Sequence, residues 1–329
     1  MIASSSRLGG SMLSLAEFLP DQAAEEAVVR ALDELRRVST MQGNLDRLQG
    51  PVAELVARPD PKAVYAHRDA VCGEHFVMLY AAETDCVPLF RLRIEGVGDR
   101  GKLEFYLVTA ARMGAAGVVR YLGAQGADVN AAENDGRHRH TALHWAVYQN
   151  HPDTVAALIA QPGIDLDRLD GHGTTALDLA LYRPQRIESA KLLTSAGAHI
   201  RPDTVVQVAR DHDLAALDLV LRHGADPNAF SPKTGIAPLH AAAMAFGEDV
   251  VRRLLQAGAD PLLPTRRKFK ASRVEYPRGA TPVDYLDLAA SAANGRDPLS
   301  SRTTAAAKVG DLLTHAAADN APKPADRSE

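Results

Sequence analysis

Two short signatures recur along this chain at a spacing of about 33 residues, and this repetition constrains the fold more than any single motif. A helix-start hexapeptide reads TALHWA from Thr141 and TALDLA from Thr175, and related stretches begin at Ala237 and Thr281. A glycine turn of the form GADxN recurs out of phase with the hexapeptide at Gly126, Gly163, Gly197, Gly224 and Gly258. These glycines lie 37, 34, 27 and 34 residues apart, which indicates one structural unit repeated along the chain.

Each unit has the sequence features of a short pair of helices. Threonine at the start offers a hydroxyl that can cap free backbone N–H groups, and proline is tolerated in the first helical turn. Stretches such as VVRYLGAQG and VVRRLLQAG place apolar residues at i, i+3 and i+4, which predicts an amphipathic helix that the glycine then ends. One such pair cannot bury its apolar faces alone, so neighbouring units are expected to stack.

The two signatures, T-P-L-H-x-A and G-A-D-x-N, resemble those of ankyrin repeats in both order and spacing. The resemblance implies an all-α ankyrin-repeat solenoid of stacked helix-turn-helix units with projecting finger loops. It also implies structural roles for Thr141, Thr175, Thr281 and the five glycines. In the same way, the imidazoles of His144 and His240 would bond near their helix start and to the backbone of the neighbouring turn.

The repeat register extends over about residues 76–316 and gives seven helix pairs. Their starts lie near Phe76, Phe105, Thr141, Thr175, Thr204, Ala237 and Thr281. Residues 79–99 align with the register, although Val87 to Ile94 on its own also fits a β-strand, so both interpretations stay open. The last pair has its second helix around residues 304–315, after a polar loop.

The ends of the chain fall outside the repeats. Residues 1–14 are predicted to be a disordered leader and residues 317–329 a disordered tail. Residues 15–75 contain two amphipathic segments, and their simplest role is a helical cap over the apolar end of the array. The first segment also has a distant similarity to the opening of an F-box.

Composition restricts the class of protein and its cellular location, but it identifies no function. With 37 Lys and Arg against 41 Asp and Glu, the net charge of −4 gives no general attraction to nucleic acid or anionic membrane. Two cysteines, Cys72 and Cys86, are too few for a disulfide framework, and no apolar run is long enough to span a bilayer. We expect a monomeric cytoplasmic protein, with secretion into a host cell as an effector, or a nuclear location, as alternatives.

Several residues have the chemistry of a metal or catalytic site, yet their arrangement favours neither. His138 and His140 lie close to His144, but His144 holds the motif position and no Cys or carboxylate completes a tetrahedral set. We expect His138 and His140 to face outward on a finger. Cys72 precedes His75 by three residues, without a third group that would orient a catalytic pair. No catalytic residue, metal or cofactor is predicted.

A basic insertion, TRRKFKASRVEYPRGA from Thr265 to Ala280, makes one finger about ten residues longer than its equivalents. It holds six basic residues against one acid, Glu275. Three interpretations stay open: a solvated loop, a contact surface for an acidic partner protein, or a site for nucleic acid or anionic lipid. Binding of nucleic acid would be weak, because one loop neutralises few phosphates.

The resemblance implies a non-enzymatic protein-binding scaffold or adaptor that uses its concave face and fingers, and a bacterial effector is one setting for it. One alternative is an enzyme with an unrecognised catalytic unit in residues 1–75, which the repeats would direct to its target. The other is weak nucleic-acid or anionic-surface binding through residues 265–280. The candidate contact residues on fingers and first helices are Asn134, Asp135, Arg137, His138, Trp145, Tyr148, Asp170, His172, Tyr182, Phe230, Lys233, Met244 and Phe246. Those in the basic insertion are Arg266, Arg267, Lys268, Lys270, Arg273 and Tyr276.

Overall fold

The computed structural model describes residues 81–82, 84–91, 94, 100–133, 138–271, 274–294 and 301–320, together with the strand residues 6–8 and 11–13. Its contacts divide the chain into two units, residues 1–179 and residues 180–329. The predicted cap at residues 15–75, with Cys72 and His75, lies outside the described residues.

The first unit is built from helices that pair as a repeat predicts. Its helices are α1 (Val87–Arg91), α2 (Leu103–Met113), α3 (Ala116–Ala124), α4 (Ala142–Tyr148) and α5 (Pro152–Ile159). α2 packs against α3 within a pair and against α4 in the next pair, while α3 packs against α1 and α5. First helices therefore stack on first helices, and second helices on second helices, around buried leucines of each pair such as Leu107, Leu122, Leu143 and Leu158. A 3-10 turn, Arg100–Lys102, precedes α2. The next helix, α6 (Ala176–Leu181), contains the boundary between the two units.

The earliest repeat in the described residues is helical, so the strand interpretation of Val87 to Ile94 is wrong. Val87–Arg91 forms α1, and Phe90 is fully buried with its ring edge-on to Tyr106 at 5.7 Å. The carboxylate of Asp85 accepts hydrogen bonds from the backbone N–H groups of Gly117 and Val118, at 2.9 and 2.8 Å. These contacts hold the first pair against α3 as a repeat would be held.

The second unit continues the same arrangement. Its helices are α7 (Ile187–Ser195), α8 (Pro202–Arg210), α9 (Leu214–Arg222), α10 (Pro238–Met244), α11 (Glu248–Gln256), α12 (Pro282–Asn294) and α13 (Ser301–Asn320). The first helices α8, α10 and α12 stack on one another, and so do the second helices α7, α9, α11 and α13. A 3-10 turn, Pro184–Arg186, leads into α7.

Two boundaries in this unit differ from the sequence prediction. α8 begins at Pro202, so Thr204 is a buried residue inside the helix and not its cap, because proline at the first position starts the helix earlier. α13 runs from Ser301 to Asn320 and takes in residues 317–320 of the predicted disordered tail. Its alanine-rich sequence favours continued helix at that end.

Two short hairpins are present where the sequence indicated irregular chain. β1 (Ser6–Leu8) pairs antiparallel with β2 (Ser11–Leu13) inside the predicted leader, across a Gly-Gly dipeptide that is common in two-residue hairpin turns. β3 (Phe269–Ala271) pairs antiparallel with β4 (Val274–Tyr276), so the basic insertion contains a β-hairpin.

The repeated glycines end their helices in the left-handed conformation. Their φ angles lie between 77° and 92°. A Cβ added at any of the five would meet nothing within 4 Å, so backbone conformation and not space requires glycine there. In the part of the chain that the structure describes, no helix combines the length and the apolar character needed to cross a membrane.

Candidate functional site

Where the repeat motif begins with threonine, it fixes the start of the first helix through a reciprocal pair of hydrogen bonds. The side chain of Thr141 accepts from the backbone N–H of His144, and Nδ1 of His144 lies 3.3 Å from the backbone N of Thr141. In α10, His240 makes the same return contact to the backbone N of Ala237 at 3.3 Å. Because Nδ1 accepts in both cases, Nε2 carries the proton and donates to a carbonyl of the following finger.

Those carbonyls belong to Thr174 for His144, at 3.1 Å, and to Ala280 for His240, at 3.2 Å. Burial lowers the pKa of His144, and burial lowers the pKa of His240 to about 4. Both rings are therefore neutral at physiological pH and serve the structure.

In two other repeats an aspartate takes the histidine position. Asp178 accepts from the backbone N–H of Thr175 at 2.9 Å, and Asp284 accepts from that of Thr281 at 2.7 Å. The backbone N–H groups of Asp178 and Asp284 donate in return to the threonine hydroxyls.

An asparagine joins successive glycine turns and was absent from the residues that the sequence singled out. The amide of Asn130 donates to the carbonyl of Gly163 at 2.8 Å and accepts from the backbone N–H of Asp165 at 2.8 Å. Asn228 makes the same pair of bonds to Gly258 and Asp260, at 3.0 and 2.8 Å. The fixed position of this asparagine at the end of the GADxN turn is the sequence feature that could have identified it.

A group of rings lies where two successive fingers of the first unit meet α4, and we refer to His138, His140, Trp145, Tyr148 and His172 as the ring cluster. His138 lies 5.3 Å from His172 and 5.6 Å from His140, between ring centroids. Trp145 is edge-on to His140 at 5.0 Å and to Tyr148 at 5.8 Å. His138, Tyr148 and His172 are exposed, and Trp145 is half-buried.

The ring cluster packs over a buried contact between a histidine and an aspartate. His140 is only 7% exposed, so our expectation that it faces outward is wrong; its Nε2 lies 3.3 Å from Oδ2 of Asp170. Asp170 also accepts from the backbone N–H groups of His172 and Thr174, at 2.8 and 2.9 Å. Asp170, a candidate contact residue, is thus itself buried and shapes the finger from inside. Among the described residues, no three His, Cys, Asp or Glu are placed to hold a metal ion.

Trp145 is held from two sides. Its indole Nε1 donates to Oε2 of Glu133 at 2.8 Å, and the guanidinium of Arg112 lies 5.4 Å from the centroid of the ring. The indole therefore keeps one orientation at the edge of the finger.

The basic insertion is anchored at its base in the second unit. The backbone N–H of Thr265 donates to Ala280 at 2.9 Å, and that of Arg266 donates to the carbonyl of Gly235 in the preceding finger at 3.0 Å. Tyr276 is 2% exposed and stacks on Tyr285 at 4.3 Å, and burial raises the pKa of Tyr285 to about 12. Tyr276, another candidate contact residue, thus belongs to the core.

Basic side chains occupy the outer side of this finger. Arg266, Arg267, Lys268, Lys270 and Arg278 are all exposed. The guanidinium of Arg266 lies 4.0 Å from the ring centroid of Phe230, and Nη1 of Arg267 donates to the carbonyl of Pro232 at 3.0 Å. The structure therefore brings Phe230 and the exposed Lys233 of one finger together with the basic side chains of the next.

The remaining candidates lie elsewhere. Tyr182 is 43% exposed just after α6, and Met244 packs against the core that contains Tyr285. Phe246 lies with a φ of 61° in the turn after α10, at the end of that helix away from the finger. Asn134, Asp135, Arg137 and Arg273 lie outside the described residues.

Comparison with known proteins places the repeats in one family. A model of three ankyrin repeats matches residues 107–204, and a single ankyrin repeat matches residues 234–266. The chain is 31% identical over 157 residues to Rabankyrin-5 from Mus musculus, a match that covers 46% of this chain and 13% of the relative. It is 37% identical over 89 residues to ankyrin repeat and SOCS box protein 6 from Mus musculus, covering 26% of this chain and 21% of the relative.

The B-cell lymphoma 3 protein homolog from Mus musculus is 29% identical over 192 residues, which cover 55% of this chain and 41% of the relative. The chain thus spans less than half the length of each of these curated relatives. Among solved structures, the ankyrin repeat domain of Bcl-3 superposes with a TM-score of 0.53 at 24% identity, over 64% of this chain and 96% of that one. The repeated motifs, the stacked helix pairs and these matches agree that the chain carries ankyrin repeats.

Proposed function

We propose that this chain is a non-enzymatic interaction module that binds a partner protein through the ring cluster, which is formed by α4 and the fingers that precede α4 and α6. Ankyrin repeats are generally modules for protein–protein interaction. The observation that carries the proposal is the pairing of the chain's only tryptophan with an exposed tyrosine. Tyr148 is 47% exposed, and its ring stands at 87° to that of Trp145.

Tryptophan and tyrosine contribute a large share of binding free energy in protein interfaces when they are desolvated by a partner. Here the indole is already ordered, because Glu133 and Arg112 fix it, and the ring of Tyr148 packs edge-on against it. A contact surface ordered before binding loses less conformational entropy on binding. The exposed imidazoles of His138 and His172 add polar groups at the rim.

The buried pair of His140 and Asp170 supports this surface from below. Asp170 holds the backbone of its turn and also holds His140, whose ring contacts both Trp145 and Tyr148. The position of the exposed rings is therefore set by interactions inside the finger and needs no partner to form.

Site-specific photocrosslinking tests the proposal. A benzoylphenylalanine introduced at Tyr148 in the full chain, expressed in its native cells, should yield a discrete covalent adduct with a partner. The matched control carries the same group at Tyr182, which has a similar exposure of 43%. Purified partner should then bind the Tyr148→Ala variant about tenfold more weakly than wild type, since loss of an interface aromatic removes on the order of 1–2 kcal/mol. Equal adducts at both positions, or unchanged affinity of Tyr148→Ala, would overturn the proposal.

A further inference from the structure

Two adjacent fingers of the second unit form a single basic surface, which we call the basic double finger: Phe230 and Lys233 from one finger, and Arg266, Arg267, Lys268 and Lys270 from the next. We propose that the basic double finger binds an acidic, extended segment of a partner protein. This inference rests on the proposed function, because it gives the interaction module a second contact surface and states the chemistry of what that surface recognises.

The two fingers are fixed to each other before any partner binds. The backbone N–H of Arg266 donates to Gly235, and the side chain of Arg267 reaches the carbonyl of Pro232. A Cβ on Gly235 would lie 2.8 Å from Cβ of Arg267, so the backbones approach as closely as glycine permits. Beneath them, Tyr276 and the half-buried Phe269 pack into the core. The cations are therefore displayed on an ordered base.

The charges of this surface are largely available to a ligand. The side chains of Lys268 and Lys233 are 75% and 68% exposed. Each lysine has one acidic neighbour at the outer limit of an ion pair: Nζ of Lys268 lies 4.0 Å from Oε1 of Glu275, and Nζ of Lys233 lies 3.9 Å from Oδ2 of Asp203. Exposed pairs at such distances contribute little, so a better-placed carboxylate from a partner can replace them.

Arg266 adds a directional group. Its guanidinium lies 4.0 Å from the centroid of Phe230, in the range of a cation–π contact. An arginine that stacks by its face keeps its N–H groups in the plane of the guanidinium, where they suit the two oxygens of a carboxylate.

The spacing of two lysines specifies the form of the segment. Lys268 and Lys270 are exposed, whereas Phe269 between them is half-buried against the core. Alternate residues of an extended chain lie on one side, about 6.8 Å apart. An extended partner with acidic residues at every second position would match this spacing.

Nucleic acid and lipid fit the same surface less well. The aromatic rings of the finger pack inward or lie against Arg266, which leaves no described ring in this finger as a platform for base stacking or as an apolar wedge for a bilayer. A few cations on a chain of net charge −4 would neutralise few phosphates.

Fluorescence anisotropy with the full chain tests this inference. The probe is a labelled peptide of alternating glutamate and serine, about twelve residues long, and its glutamine counterpart is the peptide control. Lys268→Ser/Lys270→Ser should weaken binding of the acidic peptide about fivefold, which corresponds to a loss of about 1 kcal/mol for the two contacts together. Arg120→Ser/Arg183→Ser removes the same charge from exposed arginines elsewhere and should change it less than about twofold. Lys268→Arg/Lys270→Arg should bind as wild type does.

Circular dichroism melting of each variant shows whether it is folded. The inference is overturned if the acidic peptide does not bind, if both double variants lose affinity equally, or if a DNA duplex or phosphatidylserine vesicles bind more tightly than the peptide with the same dependence on the two lysines. Its failure is distinguishable from failure of the proposed function, because Tyr148→Ala should bind the peptide normally and Lys268→Ser/Lys270→Ser should keep the crosslink at position 148.

Discussion

Nε2 of His144 lies 3.1 Å from the carbonyl oxygen of Thr174, so one buried side chain joins the start of α4 to the finger of the next repeat. Its Nδ1 meanwhile closes the capping box at Thr141. Asp178 closes the equivalent box one repeat later, but a carboxylate has no N–H to donate to a neighbouring carbonyl. A repeat with histidine at this position is therefore linked to the next repeat by a hydrogen bond. A repeat with aspartate at this position cannot make the same bond.

His240 should make the stability of the protein dependent on pH. Burial lowers its pKa in the folded state to about 4, below the ordinary value of 6.5 in the unfolded state. Between those values the unfolded state binds more protons, so the stabilising contribution is fully present above pH 6.5 and is lost as the pH falls toward 4. We expect this group alone to remove about 2 kcal/mol of the free energy of unfolding between pH 8 and pH 5.

Urea unfolding of wild type and His240→Gln at both pH values measures this contribution. Carboxylates affect both proteins alike, so the difference between their pH dependences isolates the imidazole. The wild type should lose about 2 kcal/mol more than the variant over that range. Parallel losses would show that His240 is not held neutral in the folded protein.

Asp170 should be more important for stability than its sequence context suggests. Asp170→Ala leaves two backbone N–H groups and buried His140 without their carboxylate, and should reduce the free energy of unfolding by about 2–3 kcal/mol. The exposed Asp165 accepts from the backbone N–H of Asp167, and Asp165→Ala is the matched control at about 1 kcal/mol or less. Urea denaturation of the two variants measures the difference, and equal losses would contradict the role of the buried pair.

How far the sequence predicts this structure depends on the range of the interactions involved. Period and capping residues predict most helices, because both act over one or two helical turns. The apolar run at Val87 is too short for its period to separate helix from strand, and the burial of Phe90 against Tyr106 decides the outcome. That contact joins residues of two different repeats.

The exposure of the candidate contact residues also depends on contacts with residues that are distant in the sequence. His138 and His140 look equivalent in the sequence, yet only His140 is buried. It contacts Asp170, which lies thirty positions later in the chain. The basic insertion lacks the Asn-Gly or Asp-Gly dipeptide that is typical of a tight hairpin turn, so the local sequence does not predict its two strands. In the structure, the second strand is anchored by Tyr276, which stacks on Tyr285. Tyr276 consequently turns from a predicted contact residue into a core residue.

The asparagine link between glycine turns should contribute measurably to stability. Asn130→Ala removes two hydrogen bonds to the next turn, and we expect a loss of about 1 kcal/mol, since both bonds are exposed to water. Asn228→Ala should behave similarly in the second unit. Asn130→Asp keeps the acceptor for Asp165 but places a carboxylate oxygen against the carbonyl of Gly163, so it should not restore the lost stability. Urea midpoints measure all three, and a fully stable Asn130→Asp would argue against the link.

The repeated glycines should be required for their backbone conformation alone. Gly258 has a φ of 89°, and a Cβ there would meet nothing within 4 Å. Gly258→Ala should therefore reduce the free energy of unfolding by about 1–2 kcal/mol through left-handed strain without any clash. Gly101 is equally open to a Cβ, but its φ is not in the left-handed region, so Gly101→Ala isolates the effect of conformation. Thermal melting should show a lower midpoint for Gly258→Ala and no loss for Gly101→Ala; similar midpoints would mean that the turn can adopt another conformation.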